Sequence, residues 1–224
     1  MAIELTTRDC GGLTDSELEE LSNLADGQRA SFDVGFLSKQ RDEWVLAALA
    51  HEGDRLLGGM MFTLERIGGT PCVLVNLLAT AAKDHERDVA TGLLHESYNR
   101  ALLAFPDEDV LVGMKLVAGT GYDLFSGLED IVPRPVHRPT GEERAWSRRL
   151  AKRFGLDHGL DDRSSLARAG GSVFGFNAYR LGEETSPEFS EVFGCCKPEE
   201  GEALIVFGWA MAEKLADGSL PEPF

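Results

Sequence analysis

Positive charge is scarce in this sequence. The 224 residues include 22 Lys and Arg against 38 Asp and Glu, which gives a formal net charge of −16. A molecule with this excess of acid repels nucleic acid and anionic membranes as a whole. An anionic ligand or partner therefore has to be bound by a local cluster of basic side chains.

Long hydrophobic runs and targeting signals are lacking as well. The opening MAIELTTRD has neither the basic nor the apolar region of a signal peptide, and no stretch approaches the roughly 20 apolar residues of a membrane helix. Hydrophobic residues still make up 43% of the chain, enough to form a substantial core at this length. These features predict a soluble cytoplasmic protein with no membrane partner.

Cysteine is rare, and none of the four cysteines falls in a C-x-x-C pair. No metal site is therefore expected, and the thiols, including the adjacent Cys195 and Cys196, are expected to be reduced. The sequence contains no G-x-S-x-G, H-E-x-x-H or P-loop motif. The glycines at 119 and 121 are too close together for a dinucleotide-binding fingerprint, which argues against nicotinamide or flavin chemistry.

Local patterns predict helices and strands in the first part of the chain. After a short strand, IELTT, the capping box Thr14-Asp15-Ser16-Glu17 begins a helix over 15–27, and a second helix is expected over 33–42. Apolar runs separated by glycine-containing turns predict a meander of antiparallel strands. These runs cover 44–52, 55–67 and 71–80.

The hydrophobic period then changes from that of a strand to that of a helix over 87–104. A strand follows over 109–117, and it is expected to lie parallel to the third meander strand because a helix of this length is a normal crossover. Residues 121–129 predict a short helix. A last buried strand is expected over 202–210.

A second capping box, Thr140-Gly141-Glu142-Glu143, begins a helix that Gly155 ends. One stripe of this helix is apolar, and basic side chains lie on the opposite face and beside it. The apolar stripe is Trp146, Leu150 and Phe154, and the basic residues are Arg144, Arg148, Arg149, Lys152 and Arg153. The basic face is either a solvated surface or the local positive patch that an anionic ligand needs.

The order of these elements resembles the GNAT superfamily of N-acyltransferases. The resemblance covers residues 1–130 and implies an α/β fold with a mixed central sheet, whose fourth and fifth strands part to hold the pantetheine of the donor. We expect 1–130 to be a GNAT-like acyltransferase core. A C-terminal extension, 131–224, would complete the sheet and the acceptor side, with Arg134, His137 and Tyr179 as contacts to the acceptor.

The resemblance also implies a cofactor, acetyl-CoA or another acyl-CoA. In the family, a loop of the form Q/R-x-x-G-x-G/A precedes the long helix, and its amides face the pyrophosphate. Here His85, Asp88 and Ala90 take the three conserved places, and only Ala90 fits. The resemblance assigns cofactor binding to Leu78, His85, Arg87, Asp88, Val89 and Ala90.

Two interpretations of the acidic loop stay open. Asp88 can satisfy the amides at the start of its own helix, which would leave a vestigial site. Alternatively the loop turns Glu86 and Asp88 toward solvent, and the ligand is displaced toward His85, Arg87 or the basic helix.

Catalytic candidates depart from the family pattern too. The family places a tyrosine in the short helix as general acid for the departing thiolate. Phe125 stands at that place here, and Tyr122 lies one helical turn earlier. Glu65 and His51 are candidates for the general base, and Asn76 for positioning a water. The catalytic set is thus Glu65, Asn76 and Tyr122.

The resemblance implies an acyltransferase that moves an acyl group from a thioester donor, coenzyme A or a carrier, to an amine of a small molecule, either as a monomer or as a homodimer. One alternative is a variant whose donor is an aminoacyl-tRNA or a carrier protein, with its phosphates on the basic helix. Another is a catalytically inactive GNAT-fold protein with a binding or regulatory role. Fold alone does not choose among these functions.

Overall fold

A computed structural model of the chain describes residues 3–25, 32–81, 86–116, 119–169, 196–197 and 200–221. It begins with strand β1 (Glu4–Asp9), followed by helices α1 (Asp15–Ala25) and α2 (Val34–Glu43). The capping box before α1 is confirmed: the Glu17 amide donates to Thr14 Oγ1 at 3.3 Å, and the Thr14 amide donates to the Glu17 carboxylate at 2.8 Å.

The meander predicted from the sequence is confirmed. It consists of β2 (Leu46–Glu52), β3 (Arg55–Ile67) and β4 (Thr70–Thr80), paired antiparallel. The turns between the strands contain Gly53 and the pair Gly68 and Gly69, all with positive φ, a conformation that glycine adopts without strain.

Helix α3 (Glu86–Ala104) connects β4 to strand β5 (Val110–Leu116), and the two strands are parallel as predicted. The helix expected over 121–129 is wrong in its second half. A 3₁₀ helix ends at Phe125, and Glu129–Val132 forms strand β6. This strand pairs with a segment near the C-terminus, so its local sequence does not reveal it.

The remaining elements are helix α4 (Gly141–Arg153), strands β7 (Leu166–Arg168) and β8 (Glu202–Ala210), and the short helix α5 (Ala212–Ala216). The strand order is β1-β2-β3-β4-β5-β8-β6, and β7 also pairs with β8. Strand β8 is antiparallel to both of its neighbours, β5 and β6. The predicted α/β class with a mixed central sheet is therefore confirmed.

Helices α1, α2 and α4 cover one face of the sheet, which we call the α4 layer. Leu21 of α1 lies against Gly59 of β3, and Leu150 of α4 lies against Gly113 of β5. The apolar stripe of α4 packs inward as expected: Trp146, Leu150 and Phe154 are all buried. A Cβ at Gly59 would lie 2.3 Å from the Leu21 side chain, and one at Gly113 would lie 3.1 Å from that of Leu150, so glycine lets both helices approach the sheet closely.

Helices α3 and α5 cover the opposite face, which we call the α3 layer. Val89 of α3 lies against Gly58 of β3, and Leu93 and Tyr98 of the same helix are buried in this layer. Each layer has its own apolar core, so the central strands are buried on both faces. None of the helices in the described part of the chain combines the length and apolarity that crossing a membrane requires.

Candidate functional site

The two parallel strands at the centre of the sheet separate partway along their length. Strands β4 and β5 pair over Cys72–Val75 and Leu111–Met114, and among the described residues they do not pair beyond this point. Strand β3 nevertheless follows β4 to Thr80, and β8 follows β5 to Leu116. An opening therefore lies between the ends of β4 and β5, and we call it the fork.

A β-bulge lies at the start of the fork. Met61 of β3 pairs with Leu77 of β4, and Phe62 pairs with Val75, so Asn76 is an extra residue on β4. Its side chain is only 1% exposed, and its Nδ2 donates to Gln40 Oε1 of α2 at 2.7 Å. A bulge redirects a side chain locally, and here it places the amide of Asn76 in the α4 layer beside α2.

Lys115 is the first residue of β5 beyond its last pair with β4. Its side chain is 6% exposed and its Nζ lies 5.8 Å from the centroid of the Phe154 ring, in the α4 layer. Burial lowers the pKa of Lys115 to about 8, while the Glu43 carboxylate acts in the opposite direction. Asn76 and Lys115 are thus buried polar side chains on the two sides of the fork, facing the same layer.

Sequence reasoning missed Lys115. The residue interrupts the apolar run VLVGMKLV, and a lone lysine in such a strand is a signal that could have identified it. Its position at the fork depends on where β4 stops pairing with β5, which no local pattern specifies.

Glu65, a candidate base, lies away from the fork. It pairs with Cys72 at the start of β4, where β4 and β5 are still joined. Arg153 Nε of α4 donates to Glu65 Oε1 at 2.8 Å, so the carboxylate is engaged in an ion pair. His51, the other candidate base, lies on β2 opposite Glu4 of the edge strand β1.

Tyr122, the candidate general acid, is buried in the α3 layer. Its ring centroid is 6.3 Å from that of Phe125, and burial raises its pKa to about 12. The phenol therefore keeps its proton at neutral pH. The structure brings Asn76 and Lys115 together at the fork, but it places Tyr122 on the other face of the sheet.

The start of α3 contains the residues assigned to the cofactor. Leu78, Val89 and Ala90 are buried in the α3 layer, where their side chains take part in core packing. Arg87 and Asp88 are exposed, and His85 lies outside the described residues. Thr80 Oγ1, at the end of β4, donates to the Glu86 carboxylate at 3.2 Å. This hydrogen bond connects the first turn of α3 to the end of the strand that forms one side of the fork.

The basic face of α4 is partly neutralised. Arg148 forms an ion pair with Asp162, and Arg153 forms the ion pair with Glu65. A cavity of about 490 Å³ beside Arg148 and Lys152 is also lined by acidic residues. These are Asp157, Asp161 and Asp162. The face is therefore of mixed charge rather than uniformly positive.

Two of the expected acceptor contacts lie in another cavity, of about 300 Å³, next to α4. His137 Nε2 lies 2.9 Å from the Glu143 carboxylate, and Arg134 Nη1 donates to the same carboxylate at 3.3 Å. The cavity is also lined by Phe207 and Trp209 of β8, which pair with the part of β5 that is still joined to β4. The third expected contact, Tyr179, lies outside the described residues.

No protein-family model and no curated protein matches the sequence. Similar solved structures include a ribosomal-protein-alanine N-acetyltransferase from Brucella melitensis biovar Abortus 2308, at 15% identity and a TM-score of 0.39 over 50% of this chain and 79% of that chain.

Two further similar structures are also described as acetyltransferases. An aminoglycoside 6'-N-acetyltransferase from Enterococcus faecium has 15% identity and a TM-score of 0.38, over 51% of this chain and 62% of that chain. An N-acetyltransferase from Staphylococcus aureus Mu50 has 13% identity and a TM-score of 0.38, over 50% of this chain and 71% of that chain. Similarities this low say nothing of the reaction, substrate or cofactor of this chain.

Proposed function

We propose that this chain is an acyltransferase that moves an acyl group from a thioester, carried by coenzyme A or by another pantetheine carrier, to an amine of a small molecule. The observation that carries the proposal is the fork between β4 and β5. The donor would enter the fork with its thioester near Asn76 and Lys115, and the acceptor would approach from the α4 layer.

The fork suits an amide-bearing arm because it exposes the edges of two strands. Beyond Val75 and Met114, the facing backbone groups of β4 and β5 have no partner in each other. Buried N–H and C=O groups need hydrogen-bond partners, and an extended arm such as pantetheine supplies amides in the manner of an added strand. Strands β3 and β8 support the two sides along their full length, so the opening is preorganised.

The bulge gives the fork a polar group at its base. Asn76 is fixed by its hydrogen bond to Gln40, so its orientation is set before a ligand binds. Preorganised dipoles near a reacting carbonyl stabilise the charge that develops on its oxygen. Backbone amides at the bulge and the Asn76 amide are therefore our candidates for polarising the thioester.

The acceptor is expected to enter on the α4 layer because the buried polar groups of the fork face that side. Asn76 contacts α2, and Lys115 lies beside Phe154 at the end of α4. Helix α3, whose first turn the resemblance assigns to the donor phosphates, lies on the other face. Donor and acceptor would thus meet at the fork from opposite faces.

Acidic residues at the start of α3 favour a donor that depends little on phosphate contacts. Glu86 and Asp88 lie in the first turn of this helix, and two like charges about 4 Å apart repel by about 4 kcal/mol at an effective dielectric constant of 20. A pantetheine arm on a carrier places fewer phosphates there than free coenzyme A does. An aminoacyl-tRNA donor has less support, because Arg148 and Arg153 are already ion-paired.

Calorimetric titration with acetyl-CoA and with acetyl-pantetheine, which lacks the nucleotide, tests the proposal. We expect both thioesters to bind and a panel of small primary amines to cause thiol release. Asn76→Ala should slow thiol release, whereas Glu19→Ala, on the exposed side of α1, should leave it unchanged. Failure of both thioesters to bind would overturn the proposal, and binding without thiol release would instead support the inactive binding protein.

A further inference from the structure

Lys115 is a primary amine on the acceptor side of the fork. It follows Met114, the last residue of β5 that pairs with β4, and it faces the same layer as Asn76 across the opening. The proposed reaction requires a primary amine at this place, next to the carbonyl of a bound thioester. The chain itself supplies one.

The surroundings of Lys115 raise the fraction of uncharged amine. The side chain is 6% exposed, so it has lost most of its contact with water. Its Nζ lies over the Phe154 ring at 5.8 Å from the centroid, and that ring stacks on Trp44 at 6.0 Å between centroids. Burying an ammonium without a hydrogen-bonded carboxylate is costly, so burial raises the fraction of Lys115 that is a neutral amine.

The charged groups on the neighbouring elements do not reverse this preference. Glu43, at the end of α2, favours the charged form, but desolvation outweighs it and the pKa of Lys115 falls to about 8. Arg153 of α4 lies over Trp44 at 4.3 Å and is ion-paired with Glu65 of β3. A neutral amine is nucleophilic, whereas an ammonium is not.

We propose that Lys115 is a self-acylation site, at which a thioester donor bound in the fork transfers its acyl group to Nζ. The inference rests on the proposed function. The neutral Nζ attacks the carbonyl carbon, an N–C bond forms, the C–S bond breaks, and the proton lost by Nζ is taken up by the departing thiolate. The products are an Nε-acyl-lysine and the free thiol, with no oxidant or reductant involved.

Acylation would remove the buried charge and fill the acceptor side of the fork. The resulting amide is neutral, so the desolvation that disfavours the ammonium no longer applies. It is also unreactive as a donor, which means that the modified chain would not pass the acyl group on. Self-acylation would therefore switch off transfer at this site.

The test is peptide mass spectrometry of the full chain after incubation with acetyl-pantetheine or acetyl-CoA between pH 7 and 9. We expect one acetyl group on Lys115, at a rate that rises with pH up to about 8. Lys39 and Lys152, which are exposed on α2 and α4, serve as internal controls. At pH 8 they should react roughly a hundredfold more slowly, because an ordinary lysine pKa of about 10.4 leaves well under one percent of the amine neutral.

Two further experiments distinguish acylation directed by the fork from nonspecific acylation of Lys115. Lys115→Met should still bind acetyl-pantetheine while the acetylated peptide disappears, and acetyl phosphate, which has no pantetheine arm, should not modify Lys115 selectively. Equal modification by acetyl phosphate would show that the fork does not direct the reaction, and would overturn the inference. A thioester that binds but leaves Lys115 unmodified overturns the inference alone, whereas absence of binding overturns the proposed function with it.

Discussion

Asn76 and Lys115 are buried polar residues at the fork, where β4 and β5 separate. Burial of an amide is tolerated because Gln40 accepts its hydrogen bond. Burial of the Lys115 amine is not offset by a hydrogen bond of this kind. The Glu43 carboxylate is nearby and favours the ammonium form, but burial has the larger effect on the pKa of Lys115. Such groups are concentrated at functional sites because they are poor choices for stability alone.

Lys115→Met should change how stability depends on pH. Burial lowers the pKa of Lys115 from 10.5 to about 8, so between these values the unfolded chain binds a proton that the folded chain does not. The native stability of the unsubstituted chain relative to Lys115→Met should therefore be lowest below pH 8 and rise toward pH 10.5. The rise should be on the order of 3 kcal/mol.

Urea denaturation of both proteins across this pH range measures the difference. Cys10 and Cys72 make stability fall as the pH rises, because burial raises the pKa of both thiols. Subtracting the stability curve of the variant removes their contribution, since both proteins contain these cysteines. A difference curve that is flat between pH 8 and 10.5 would mean that Lys115 is ordinarily hydrated.

Asp88→Gly should improve the binding of coenzyme A donors. Asp88 is exposed in the first turn of α3, and removing its charge should raise acetyl-CoA affinity roughly tenfold, equivalent to about 1.4 kcal/mol. The ligand-free protein should lose up to about 1 kcal/mol, because a helix start favours a carboxylate and disfavours glycine.

Thermal-shift titrations with two donors distinguish charge from backbone effects. Asp88→Asn removes the charge without adding glycine and should gain a similar affinity. Neither variant should change acetyl-pantetheine binding, since that donor has no nucleotide phosphates. If the unsubstituted chain already binds acetyl-CoA tightly and neither variant binds it better, the acids do not face the donor.

At the scale of elements, helix α4 owes its position to one apolar stripe. Trp146 is 4% exposed and meets Trp209 of β8 edge to face, with 6.3 Å between the centroids. Trp146→Ala should therefore lower the free energy of unfolding by about 3–5 kcal/mol.

Lys152→Ala is the matched control on the exposed side of the same helix. It should change stability by less than about 0.5 kcal/mol. Chemical denaturation of the two variants measures both effects, and a loss of under about 1 kcal/mol for Trp146→Ala would show that the stripe contributes little to the core.

Elements with strong local signals were predictable from the sequence. The strand over 55–67 has the bounds of β3 because turn residues flank a long apolar run, and both capping boxes marked the first turns of their helices. Strand β6 was missed because it is short and acidic and its partner β8 lies far along the chain. Glu65 lies in the strand expected over 55–67, but its ion pair with Arg153 depends on how α4 packs.

At the scale of the molecule, the C-terminal part of the chain completes the central sheet. Strand β8 lies between β5 and β6. Residues that are distant in sequence therefore pair with β5 and support its side of the fork. The insertion of β8 could not be predicted from local patterns, because any buried apolar strand fits several places in a sheet. The charge of −16 belongs to this scale too, since it weakens the attraction of every anionic donor.

The central claim is that a thioester donor binds between β4 and β5. A crystal structure of the chain soaked with acetyl-pantetheine and with acetyl-CoA tests it most directly. We predict density for the pantetheine arm between Asn76–Thr80 and Lys115–Leu116, with the acyl group toward the α4 layer. A fork that stays empty while the ligand occupies the cavity beside Arg148 and Lys152 would contradict the account.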